Sequence, residues 1–429
     1  MRAQWRQSGL WCALLALGLA VASAPGPRAA ASPARPWAEP SLEQARALIV
    51  AARAEANAGN WASADRALRI AWRAPEMRRL AAAALWDLHQ RPGFALPVDE
   101  EAVSEAAARL GPRYQRFQTP HFVILTDADM RWSRSRATIL EQTRRQFYDA
   151  MGQIGYPAAP HPHKLLCILM REHDQFRTFA ANEDGHVADW SAGYYSTRAN
   201  RVVFYNDDSS PALRDAMRML DAHQQRVRQL RDQATSLMRS GRAADAQRRS
   251  AAADDLERQV ITERSRLRAE AEQFAVAKTI HEAVHLLSFN SGVQLPSRQY
   301  PLWLSEGLAC AFEAPTTQIA FGPRRPSPGR EQQLVALYRE QLDLPMDRVL
   351  RAVEAPAEAR AATDAMYAQS FAMVEYLYVE RPEALVEILL DLADGPDGAL
   401  DVAAHGELLE RLVGDPADLA TVLRRRWLR

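Results

Sequence analysis

Residues 281–285 read His281-Glu282-Ala-Val-His285. Two histidines four positions apart on a helix project from one face, one turn apart, so both imidazoles can reach a single ion at about 2.0–2.1 Å. Glu282 lies about 100° round the helix from His281. From there its carboxylate can hydrogen-bond a metal-bound water and take its proton during attack on a carbonyl. Phe274, Val276, Ile280, Val284, Leu286, Leu287 and Phe289 make the surrounding stretch apolar on nearly all sides. Polar side chains in such surroundings are costly without partners, so the two histidines and the glutamate require them.

Catalytic zinc ordinarily has three protein ligands and one open position, so a third ligand must come from elsewhere. The candidate is Glu306 in Pro301-Leu-Trp303-Leu-Ser305-Glu306-Gly307-Leu-Ala309. Pro301 suits a helix start and predicts a helix over 302–313, returning antiparallel to the first after a loop at 290–300. Gly307, beside the ligand, permits close helix approach. His121, His161, His163, His173, His186, His223 and His405 have no paired spacing and read as structural or surface residues.

His281-Glu-x-x-His285 followed by Trp303-x-x-Glu306-Gly-x-Ala309 resembles the gluzincin branch of zinc metallopeptidases, the thermolysin- and aminopeptidase-like clan. It is most similar to uncharacterised bacterial families there that carry a Trp-Leu-x-Glu-Gly signature. The resemblance covers residues 115–380, with its strong motifs at 279–311. It implies that His281, His285 and Glu306 hold Zn²⁺, that Glu282 is the general base, and that an edge strand before the zinc helix aligns a peptide. Residues 194–196 or 202–205 would supply that strand. It also implies a tyrosine or histidine over the zinc from a downstream helix, polarising the carbonyl. Tyr367, in Met366-Tyr-Ala-Gln-Ser370-Phe371, is the candidate, with an ordinary core tyrosine as the other reading. Thermolysin-like members carry an acidic residue one turn after the ligand glutamate to support a histidine. This chain departs from that pattern with Cys310, which reads as a buried core thiol rather than a fourth ligand.

The elements that must position these residues follow from the apolar periodicity. Ser41 with Gln44 forms a capping box that opens a helix. The pattern from Ala56 through Gly59, Asn60 and Trp61 to Ala64, Leu68, Ala71 and Pro75 looks like one tetratricopeptide-type helical pair. One such unit cannot bury its own face and no second copy follows, so it reads as a cap on the main domain, with an independent peptide-binding array as the other reading. Residues 122–125 and 164–169 read as buried strands, with an amphipathic helix over 132–151 between them and a short helix from His173. Residues 193–196 and 201–205 read as two strands around a turn. From Pro211 a seven-residue apolar repeat at Leu213, Leu220, Val227 and Ala234 runs to Ser240-Gly241-Arg242 and resumes at Ala253, Val260, Leu267 and Phe274. That predicts a charged antiparallel helical hairpin. Its second helix would be about 70 Å long at 1.5 Å per residue if unbroken to Ser288, so a kink or break is expected within it.

The fold class expected is α+β: a mostly helical, gluzincin-like zincin with a small mixed β-sheet, a helical-hairpin insertion and an N-terminal tetratricopeptide-like segment. The divisions are 1–31 leader, 32–112 helical segment, 113–210 sheet, 211–278 hairpin, 279–380 zinc-site helices and 381–429 terminal helices. Arg2, Arg6, the apolar run 10–22 and Ala22-Ser23-Ala24 read as a signal peptide cut between 24 and 31. An N-terminal anchor is the alternative. The reading is of an exported protein, periplasmic or secreted, with no membrane contact after cleavage.

Lys+Arg and Asp+Glu both number 53 in the 429 residues, which gives no charge excess to attract nucleic acid. Cys167 and Cys310, the cysteines outside the leader, are too few for a disulfide framework. Two functions follow: zinc-dependent hydrolysis of a peptide or protein substrate, or a noncatalytic envelope protein. The second would bind a protein partner through the hairpin or N-terminal helices, with a structural or degenerate zinc site.

Overall fold

Alternation along one strand organises the centre of the molecule. The computed structural model describes residues 39–185, 192–325, 327–356 and 360–428; the expected leader and His186 lie outside them. Strand β2 (Phe122–Thr126) is buried along its whole length. Phe122 and Ile124 face one apolar cluster, and Val123 and Leu125 face another. A strand covered on both faces needs helices on both sides, and these are α4 (Glu100–Leu110) and α6 (His173–Asp184) on one face and α5 (Met130–Ile154) on the other.

The sheet has five strands, adding β1 (Gln115–Gln118), β3 (Leu165–Met170), β4 (Gly193–Ser196) and β5 (Arg201–Tyr205), in the order β1-β2-β3-β5-β4. β2, β3 and β5 are parallel; β1 and β4 run antiparallel at the two edges. Of the two segments expected to supply an edge strand, 194–196 lies in β4, at the edge of the sheet and buried along its length. Residues 202–205 lie in β5, which is hydrogen-bonded on both sides because the crossover from β3 inserts it between β3 and β4.

The N-terminal helices are α1 (Leu42–Asn57), α2 (Trp61–Trp72) and α3 (Arg78–His89), with the capping box of Ser41 and Gln44 in place. Ala45, Ile49, Ala64, Leu68 and Leu85 pack them together. They cap the main body: Trp72 Nε1 donates to the Pro157 carbonyl at 2.7 Å, and Arg69 Nη1 to that of Pro160 at 2.6 Å.

The hairpin forms from α7 (Pro211–Arg239) and α8 (Ala243–Asn290). Contrary to the expected break, α8 is continuous over 48 residues. It contains neither proline nor glycine, and its buried seam of Ala246, Ala253, Val260 and Leu267 passes without interruption into the core segment from Ala275. The same helix is therefore a solvated arm at one end and, from Lys278 to Ser288, fully buried at the other.

After it come α9 (Leu302–Phe312), α10 (Pro328–Arg339), α11 (Met346–Arg351), α12 (Arg360–Glu380), α13 (Pro382–Asp394), α14 (Val402–Val413) and α15 (Pro416–Trp427). The chain is α+β and mostly helical, with one small mixed sheet. No described helix is long and apolar enough to cross a membrane.

Candidate metal centre

The buried end of α8 carries His281 and His285, and α9 brings Glu306 against them. His281 Nε2 lies 3.1 Å from His285 Nε2 and 3.3 Å from Glu306 Oε2, with 3.7 Å between His285 Nε2 and that oxygen. All three side chains are buried. Two facing imidazole nitrogens and a carboxylate oxygen are a donor set suited to zinc. Glu306 Oε2 has no partner in hydrogen-bonding geometry among the described residues. A buried carboxylate oxygen left that way calls for a cation. His281, His285 and Glu306 can thus hold a divalent metal ion.

Electrostatics around the three are finely opposed. Burial raises the Glu306 carboxyl, but the His285 and His281 imidazoles outweigh it and hold the group down at about 2. Burial depresses His285. It also works against a charge on His281, yet Cys310, Glu306 and Glu313 around that ring lift it well above the usual imidazole range. The acidic groups around His281 thus favour a positive charge beside Glu306.

Glu282 sits on the adjoining face of α8, 1% exposed. Burial raises its carboxyl to about 8, the His281 charge only partly opposing this. The backbone of Tyr195, in edge strand β4, also favours the ionised carboxyl, while Oε2 has no hydrogen-bond partner among the described residues. One turn earlier, the buried Lys278 Nζ donates to Asp207 Oδ1 at 2.5 Å.

Support for His281 comes from a residue the sequence did not single out. Its Nδ1 hydrogen-bonds Glu313 Oε1 at 2.8 Å, and Arg330 grips the same carboxylate through Nε and Nη2, each at 2.7 Å. The carboxylate missing at position 310 is therefore supplied just beyond the end of α9. Cys310 Sγ stands 4.0 Å from Nδ1, on the side of the ring turned away from Glu306. Cys310 and Cys167 are free thiols. Tyr367, from α12, packs its ring nearly parallel to that of His281, with centroids 6.5 Å apart.

Residues 275–396 match a family described as "Protein of unknown function (DUF1570)". The match begins within α8 just before the histidines and takes in Glu306, Glu313, Arg330 and Tyr367, leaving the sheet, most of the hairpin and the N-terminal helices outside it. No curated protein matches the chain.

Proposed function

We propose that this protein is a zinc-dependent, gluzincin-like peptidase that acts on peptide or protein substrates after export to the periplasm or beyond. The observation that carries this reading is the juxtaposition of the His281, His285 and Glu306 donor atoms with a buried Glu282 that keeps one carboxyl oxygen free. Zinc held by those three residues would supply Lewis acidity, polarising a carbonyl and lowering the pKa of water. With a cation beside it favouring the ionised carboxylate, Glu282 Oε2 would take the proton from the attacking water and pass it to the leaving amine. The strand assigned to align an extended peptide is β4, at the sheet edge, and Tyr367 is assigned to polarise the scissile carbonyl.

A second reading, a structural metal site in a protein that binds partners through its helical modules, draws on burial. None of His281, Glu282, His285 and Glu306 is more than 2% exposed. The cavity at the base of the hairpin is lined by Trp132, Asp207, Leu213 and Glu272, not by these four. A peptide-library assay separates the readings. Cleavage by the zinc-loaded wild type that disappears in zinc-loaded Glu282→Gln supports catalysis, whereas zinc binding without cleavage in either leaves the structural reading.

A further inference from the structure

Behind the three donor atoms stands a buried charge that metal ligation alone does not explain. Glu313 is the residue after α9, and Arg330 lies in the first turn of α10, across the connection 314–327. The guanidinium holds both oxygens of Glu313 at 2.7 Å, while Glu313 Oε1 takes His281 Nδ1. On its other side Arg330 faces the Tyr367 ring at 5.9 Å, and its Nη1 donates to Gln333 Oε1 at 3.0 Å. Helices α8, α9, α10 and α12 thus meet at one node on the ring nitrogen of His281 that points away from Glu306.

Two consequences follow from this arrangement. Glu313 can accept from Nδ1 only if that nitrogen carries the hydrogen, which leaves the Nε2 lone pair directed at His285 and Glu306. A two-point guanidinium–carboxylate fork then fixes the carboxylate plane more tightly than a single point charge could. Moreover, the buried residues of α10 among those described, Leu334 and Tyr338, both lie in its second half. Its first half is therefore tied to the core largely through Arg330.

We infer that Glu313 and Arg330 are positioning residues that present His281 Nε2 to the ion, and that ion binding and the docking of α10 are consequently coupled. The inference rests on the metal reading above and not on peptide hydrolysis. Supporting partners of this kind commonly change metal affinity 10–100-fold. By reciprocity, whatever factor the loss of α10 docking takes from ion binding, loss of the ion takes from docking.

The test uses the whole chain, with zinc affinity from competition against a chromophoric chelator and hydrogen exchange across residues 328–339 with and without zinc. Arg330→Gln and Glu313→Gln are expected to bind zinc about 10–100-fold more weakly than wild type, with Arg330→Lys between. Zinc should slow exchange over 328–339 in wild type by more than it slows exchange over 382–394, and that excess should vanish in Arg330→Gln. An arrangement that merely stabilises the fold would lower the melting temperature and leave zinc affinity alone. Wild type that binds zinc alongside an Arg330→Gln variant within twofold of it, or zinc that slows exchange over 328–339 no more than over 382–394, overturns the coupling. Should Arg330→Gln not fold, Arg330→Lys and Glu313→Gln decide the matter by the same criteria. Wild type that takes up no zinc overturns the metal reading, and the coupling with it.

Discussion

His281 uses both of its ring nitrogens, one turned to His285 and Glu306 and the other to Glu313. Glu282 ligates nothing, so replacing it tests chemistry without removing the site: Glu282→Gln should keep its zinc and lose about 10²–10⁴-fold in cleavage rate. A second prediction concerns His405, which is 4% exposed, stacked on Trp303 at 6.2 Å, and without a hydrogen-bond partner on either ring nitrogen among the described residues. Burial lowers it to about 4 from 6.5. The folded state therefore holds the neutral ring. Its contribution is complete above pH 6.5 and is lost as the pH falls towards 4, by up to about 3 kcal/mol at 1.36 kcal/mol per unit. Denaturant titrations should show His405→Leu losing less stability than wild type between pH 7 and 4; equal losses would refute this role. The closeness of His281 and His285 was legible in the sequence because a four-residue spacing becomes proximity through helix geometry alone. Glu313 and Arg330 were not: Glu313 meets His281 from beyond a loop and a helix, Arg330 meets Glu313 from beyond a further connection, and no local pattern marks them.

Among the elements, the crossing of α9 and α12 has the tightest tolerance. A Cβ added at Gly307 would lie 2.3 Å from the Ser370 carbonyl oxygen and 2.7 Å from Val374 Cγ2. Backbone cannot yield as a side-chain tip can, so Gly307→Ala should cost at least about 1–3 kcal/mol and lower the melting temperature. An unchanged melting temperature would show that the helices are not so closely held. The glycine was legible as a close-approach position next to the ligand; the residue it approaches was not. Strands β2, β3, β4 and β5 were readable because each is a short buried apolar run. β1, Gln-Arg-Phe-Gln, is largely exposed and carries no such signature. Strand order was also hidden: which of β4 and β5 lies at the edge depends on where the chain crosses after β3, not on the composition of either strand. The continuity of α8 follows from the absence of proline and glycine between residues 243 and 290, which outweighs the argument from length.

For the whole molecule, the metal centre and the outer hairpin behave as separate territories. The outer hairpin is held by its own small cluster of Val227, Leu230 and Ala253, and its turn lies about 57 Å along α8 from His281 at 1.5 Å per residue. Replacing residues 224–262 with a short turn should therefore leave zinc affinity within about twofold of wild type, while removing any partner bound by the arm. Zinc that binds only the folded state should stabilise it by about 4 kcal/mol at a free concentration 1,000 times Kd, and a chelator should reverse the gain. The most direct test of the central claim is the metal content of the purified protein beside His281→Ala and Glu282→Gln variants. One zinc per chain in wild type and in Glu282→Gln, with none retained by His281→Ala, is the result predicted. A wild type that holds no zinc after reconstitution, or a His281→Ala variant that keeps it, would contradict the assignment.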